Sequence, residues 1–204
     1  MNTTPNVRRN KVKSRKHWML KSPETTRDSV YNKLIIKSII PTWRNFSMDS
    51  KDLQHLHTAI EVAQRAREHG NHPFGAILVD ENGQVLLQAE NTVITDSDCT
   101  GHAETNLMRL ASQHFPTEKL AACTLYTSTE PCAMCAAAIH WGNVRRVVYA
   151  LSEVALYEIT GPSPDHLVLP CREVFAHSQR NVSVEGPAVE LDPEARAVHA
   201  GFWK

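Results

Sequence analysis

No apolar run in the sequence approaches the roughly 20 residues that a membrane-spanning helix needs; the longest are stretches such as residues 121–126. There is no internal repeat and no low-complexity tract, so collagen, coiled coil and polymer-like architectures are excluded. Cysteine is scarce and odd in number: five in 204 residues, too few and wrongly paired for a complete disulfide framework. Two of them form Cys132-x-x-Cys135, which in a reducing, cytoplasmic setting points to metal or redox chemistry. What remains is ordinary. The chain is 42% apolar and 22% charged, the balance of a globular protein long enough to bury a core unaided.

Acidic residues are nearly missing from one part of the chain. Residues 1–47 carry 11 Lys and Arg against Glu24 and Asp28, a net +9, whereas residues 48–204 carry 11 against 20 acids, a net −9. The basic block also holds ten Ser and Thr, and its only apolar stretch, residues 34–40, is broken by Lys37. That break argues against a secretory signal. The composition fits an organellar transit segment, a nucleic-acid-binding arm, or a disordered extension preceding a domain at 48–204.

From residue 49 the pattern becomes periodic. Asp49 or Ser50 can cap a helix in which Leu53, Leu56, Ile60, Ala63 and Ala66 share one face, ending at Gly70. Residues 75–80 and 84–88 flank Glu81-Asn82-Gly83 as a hairpin. A helix is expected over 102–114, a strand over 121–127, a helix over 132–141 and a strand over 144–149. After the break at Gly161-Pro162-Ser163-Pro164 come a helix near 171–179, a strand at 181–185 and a helix from Pro193. A hairpin followed by strand-helix-strand units implies one mixed sheet between helices.

The chemistry lies in Gly101-His102-Ala103-Glu104 and Glu130-Pro131-Cys132-Ala133-Met134-Cys135, both at expected helix starts. Two cysteines three apart at a helix N-terminus can turn both sulfurs to one ion, and the unpaired N–H groups there favour thiolate. With His102 as a third ligand, the fourth tetrahedral position is left for water, as in a catalytic zinc site. Zinc draws the pKa of that water to about 7. Glu104, two residues from His102, can hold a proton beside the ion without binding it. Cys99 permits another arrangement, a closed Cys99-x-x-His102 and Cys132-x-x-Cys135 structural site that would make the protein a non-enzymatic zinc module. That arrangement leaves Glu104 and Pro131 without a role.

His102-Ala103-Glu104 with Pro131-Cys132-x-x-Cys135 resembles the H-x-E…P-C-x-x-C pattern of zinc-dependent nucleobase and nucleoside deaminases. The resemblance runs through Asn71-His72-Pro73-Phe74-Gly75-Ala76 to about residue 160 and does not touch residues 1–47. It implies a three-layer α-β-α fold around a mixed five-stranded sheet, Zn2+ as cofactor, and a homodimer. The nearest groups are guanine deaminases and tRNA-specific adenosine deaminases, the latter converting adenosine to inosine. By the same resemblance Asn91 hydrogen-bonds the substrate's ring edge, since an amide both donates and accepts. Phe74 is a candidate wall for a flat base, Ala103 a further contact and Trp141 a weaker one.

Phe74 favours the guanine group, because tRNA enzymes usually place a smaller apolar residue there. The acidic excess of residues 48–204 agrees, since a tRNA binder presents Lys and Arg to phosphates. Nucleic acid would then engage only through the basic tail. The reading is a hydrolytic deaminase of a small nucleobase or nucleoside, guanine first. Met134 and Ile139 are expected in the core, Arg145 and Arg146 in solvent, and residues 151–160 depart from the guanine pattern.

Overall fold

A computed structural model describes residues 48–203. The basic block at 1–47, and with it the targeting, nucleic-acid and extension readings, lies outside the described residues. Helix α1 (Ser50–Glu68) starts where Asp49 accepts the Asp52 N–H at 2.7 Å. It buries Leu56, Ala59, Ile60, Val62, Ala63 and Ala66, the stripe expected from a 3.6-residue period. The helix lies directly on strand β1 (Gly75–Val79), whose first residue has no room for a side chain. A Cβ at Gly75 would collide with the backbone of Ala59, Val62 and Ala63.

Strand β2 (Val85–Glu90) pairs antiparallel with β1. The turn between them is closed by Asp80, whose Oδ1 accepts from the Asn82 and Gln84 N–H groups at 2.9 Å, while Gly83 takes a positive φ of 83°. Such a turn suits an aspartate followed by glycine. A short helix α2 (Val93–Asp96) precedes α3 (Ala103–His114), α4 (Thr117–Ala121), strand β3 (Thr124–Thr129) and α5 (Ala133–Trp141). Strand β4 (Arg146–Leu151), α6 (Glu153–Thr160), α7 (Cys171–Ala176), β5 (Ser183–Glu185) and α8 (Asp192–Ala197) complete the domain.

The five strands form one sheet in the order β2-β1-β3-β4-β5, antiparallel on one side of β3 and parallel on the other. Alternation along each strand splits the core into two layers. Ala76, Leu78, Leu125, Val147 and Tyr149 pack with α3, α5 and α7; Ile77, Val79, Tyr126, Val148 and Ala150 pack with α1 and α8. The mixed sheet between helical layers is the expected architecture.

Several boundaries differ from the sequence reading. β3 starts at Thr124 instead of 121, because Pro116 opens the short helix α4 that extends to Ala121. β4 runs two residues later than expected, and α7 and β5 are shorter. Residues 153–160, where the sequence reading places no element, form a helix capped by Ser152, whose Oγ accepts the Ala155 N–H. Arg146 is not a free surface charge. It bridges Asp52 (2.8 Å) and Glu185 (2.7 Å), and the Tyr126 hydroxyl donates to Asp52 at 2.6 Å. Among the described residues no helix is long and apolar enough to cross a membrane.

Candidate active site

The parallel pair β3 and β4 ends where two helices begin, and there the motif residues meet. His102 is the N-cap residue of α3 and Cys132 that of α5, both with extended backbones and neither using its side chain in a cap hydrogen bond. His102 Nδ1 lies 3.6 Å from Cys132 Sγ and 3.6 Å from Cys135 Sγ. The three ligand atoms fall within 4.8 Å of one another. Zinc with bonds of about 2.3 Å to sulfur and 2.0 Å to nitrogen would separate tetrahedral S and N ligands by roughly 3.5 Å, so the cluster fits a zinc ion. Cys99 is exposed and outside the cluster, although it borders the adjoining cavity.

The electrostatics favour a thiolate at Cys132 and, before an ion binds, a neutral thiol at Cys135. The neighbouring Cys135 thiol holds the Cys132 sulfur down to about 4 despite burial, with His102 assisting, and Cys135 is correspondingly pushed up. His102 is raised by its Cys132 partner. The Thr105 hydroxyl lies 3.4 Å from Cys135 Sγ, one more hydrogen-bonding group around the sulfurs.

Glu104 is buried in the first turn of α3, at 6% exposure. Burial, reinforced by the Cys132 charge, pushes its pKa up. Its Oε1 accepts a hydrogen bond from the Thr127 hydroxyl at 2.8 Å, reaching across from β3. Thr127 was not visible as a site residue in the sequence, where it reads as one position of an apolar strand.

Beside the cluster opens a cavity of about 330 Å³, at the small end of ligand pockets. Phe74, His102, Glu104, Thr129, Cys132, Met134, Glu153 and Tyr157 contribute to its lining. Met134 therefore borders the cavity instead of joining the core, while Ile139 is fully buried as expected. Phe74 packs against His199 and Trp203, with ring centroids 5.4 and 6.0 Å away. These C-terminal residues gave no sign in the sequence that they support the site.

Asn91 is wholly buried and its N–H donates to the Phe74 carbonyl at 3.1 Å. Its Oδ1 accepts the Val93 N–H, and Nδ2 has no hydrogen-bond partner. Ala103 is buried at the start of α3, and neither it nor Asn91 is among the residues lining the cavity; of the expected substrate contacts, Phe74 is. Trp141 is not brought to the cavity. It stands 76% exposed at the far end of α5, edge-on to His140, because nine residues of helix carry it away from the cysteines.

Glu153 and Tyr157 on α6 were also missed. The available signal was the helix start Ser152-Glu153 directly after a strand, obscured because this segment departs from the guanine pattern.

The sequence profile of the cytidine and deoxycytidylate deaminase zinc-binding region matches residues 49–151. The "Probable cytosine deaminase" of Schizosaccharomyces pombe is 43% identical over 158 residues, covering 76% of this chain and 94% of the relative. A tRNA-specific adenosine deaminase of Haemophilus influenzae is 35% identical over 102 residues, half of this chain and 59% of the relative. The structure of guanine deaminase from Nitrosomonas europaea superposes with a TM-score of 0.57 at 25% identity, over 72% of this chain and 83% of that one.

Proposed function

The chain belongs to the cytidine and deoxycytidylate deaminase family of zinc-dependent hydrolases, and we propose that within it this protein deaminates a small free nucleobase, cytosine before guanine. The observation that carries the proposal is the His102–Cys132–Cys135 cluster at the edge of a 330 Å³ cavity with Glu104 buried beside it. Cytosine comes first because the similarity to the S. pombe protein spans 94% of that relative; guanine, the base first expected from Phe74, is second. The described lining includes Glu104, Glu130, Glu153 and Asp165 and no Lys or Arg. That favours a neutral base over a phosphate backbone, which requires cations. We also place the catalytic unit at residues 48–204.

In this reading His102, Cys132 and Cys135 hold zinc, which when bound supplies a water acidic enough to ionise near neutral pH. Phe74 packs against the flat ring, and Asn91 Nδ2 donates to a ring acceptor, ending its own unpaired state. Glu104, oriented by Thr127, accepts the proton that the attacking water loses. It gives that proton to the ring nitrogen, then takes the second proton from the hydroxyl now on the reacting carbon and hands it to the departing amine as the oxo group forms. Water and base become the oxo base and ammonia.

The test measures zinc content and ammonia release with cytosine, guanine, adenine, their nucleosides and tRNA at low and high salt. Salt-insensitive turnover of cytosine or guanine is expected. Glu104→Gln should keep zinc and lose roughly 10²–10⁴-fold in rate, whereas Cys132→Ala should lose the metal. Steeply salt-dependent deamination of tRNA alone would overturn the free-base proposal. Loss of zinc from Glu104→Gln would remove Glu104 from its assigned role.

A further inference from the structure

The cavity contains a second buried carboxylate for which neither zinc ligation nor the proton transfers of Glu104 have a use. Glu153, in the first turn of α6, is 6% exposed and lines the cavity wall. Its backbone N–H donates to Glu130 Oε2 at 3.2 Å, which ties the start of α6 to the loop carrying Cys132. Its Oε1 accepts the Tyr157 hydroxyl at 2.7 Å, one helical turn on. Among the described residues that is the hydrogen bond its carboxylate receives. Tyr157 is itself fixed by a stacked His166, with ring centroids 3.8 Å apart at 13°.

A helix start often favours an acid for its own stability, but here the capping position is already served by Ser152. The groups acting on Glu153 from the facing loop add cost: burial, with the negative charges of Glu130 and Cys132, pushes its pKa up to about 7. A buried carboxylate among like charges is unfavourable unless a donor meets it. Thr129, which also lines the cavity, keeps a buried hydroxyl without a partner. The cavity therefore retains polar groups that folding alone leaves underused, as binding sites do.

We propose that Glu153 is a specificity-determining residue of the deaminase site, its carboxylate accepting a hydrogen bond from an N–H of the bound base. The inference deepens the free-base reading and rests on it. A nucleobase presents N–H groups at its ring edge, and a carboxylate that accepts one rejects analogues lacking it, because the acid is then left desolvated and unpaired. Tyr157 acts as a positioning residue that aims the carboxylate.

The experiment compares wild type with Glu153→Gln in the full, zinc-loaded chain. It reads KM for cytosine and guanine, calorimetric binding of the unreactive products uracil and xanthine, zinc content and Tm. Losing a charge-assisted hydrogen bond should raise KM and product Kd by about 10–100-fold. Zinc should be unchanged and Tm equal or higher, since a buried charge among like charges is removed. Unchanged KM and product binding overturn the proposal, as does a lowered Tm with unaltered binding, the pattern of a purely structural carboxylate.

Should Glu153→Gln fail to fold, Glu153→Asp keeps the charge but withdraws it by one methylene, and the same rise in KM is expected; an unchanged KM there overturns the idea equally. Tyr157→Phe leaves the carboxylate in place and should shift KM less than Glu153→Gln does. Wild type that turns over no base would sink the deaminase reading, and product binding would still decide Glu153. Wild type that binds neither product overturns both.

Discussion

Replacing Thr127 by valine removes one hydroxyl from the centre of the sheet while keeping its shape. Thr127 is 1% exposed, and its Oγ1 lies 2.8 Å from Glu104 Oε1, 3.1 Å from the Thr129 carbonyl and 3.4 Å from the Gly75 carbonyl. A hydroxyl has one proton to give, and the shortest contact to a carboxylate takes it. A hydrogen bond to a charged group contributes about 1.5–3 kcal/mol, and each 1.4 kcal/mol is a factor of ten, so kcat/KM should fall by roughly 10–100-fold. The hydroxyl touches no metal ligand, so zinc content should be unchanged. Thr127→Ser restores the donor and should recover most of the activity. The assay is steady-state ammonia release beside metal analysis of the same samples. Wild-type kcat/KM in fully zinc-loaded Thr127→Val would show that this hydrogen bond does not orient Glu104, and the reasoning would fail there.

Two further outcomes test the frame around the site. Gly75→Ala drives a methyl into the α1 backbone and should lower unfolding stability by about 1–3 kcal/mol in urea melts; an unshifted midpoint would mean that helix and strand separate freely. His199 is 1% exposed and its pKa is pushed down to about 4 by burial, with Arg67 adding positive charge and Trp203 donating to its Nδ1. The unfolded chain then binds a proton near pH 6.5 that the folded one refuses until about pH 4. Stability is therefore full above about pH 6.5 and is lost as pH falls toward 4, by about 3 kcal/mol from this group. His199→Leu should flatten that dependence relative to wild type, and parallel curves for the two proteins would refute the assignment.

The family and its metal chemistry were legible because they reside in short local patterns. A histidine or cysteine at a helix N-cap and a second cysteine one turn later place their ligand atoms by backbone geometry alone, so Gly101–Glu104 and Glu130–Cys135 announced a cluster that the fold then closed to within 4.8 Å. The hairpin and α1 were legible for the same reason: a turn built on Asp80 and Gly83 and a 3.6-residue apolar stripe are local. Partners brought together by the sheet were not legible. Thr127 reaches Glu104 across 23 residues, Glu153 meets the loop before Cys132 only through parallel pairing of β3 and β4, and His199 and Trp203 arrive against Phe74 from the far end of the chain. Trp141 shows the converse, an aromatic near the cysteines in sequence that the helix turns out to solvent. Local patterning determined which atoms can hold the metal, because backbone periodicity is written residue by residue. Which side chains line the cavity beside the cluster was decided by tertiary structure, because contact across a sheet depends on strand order and register, and those emerge only when distant segments pack.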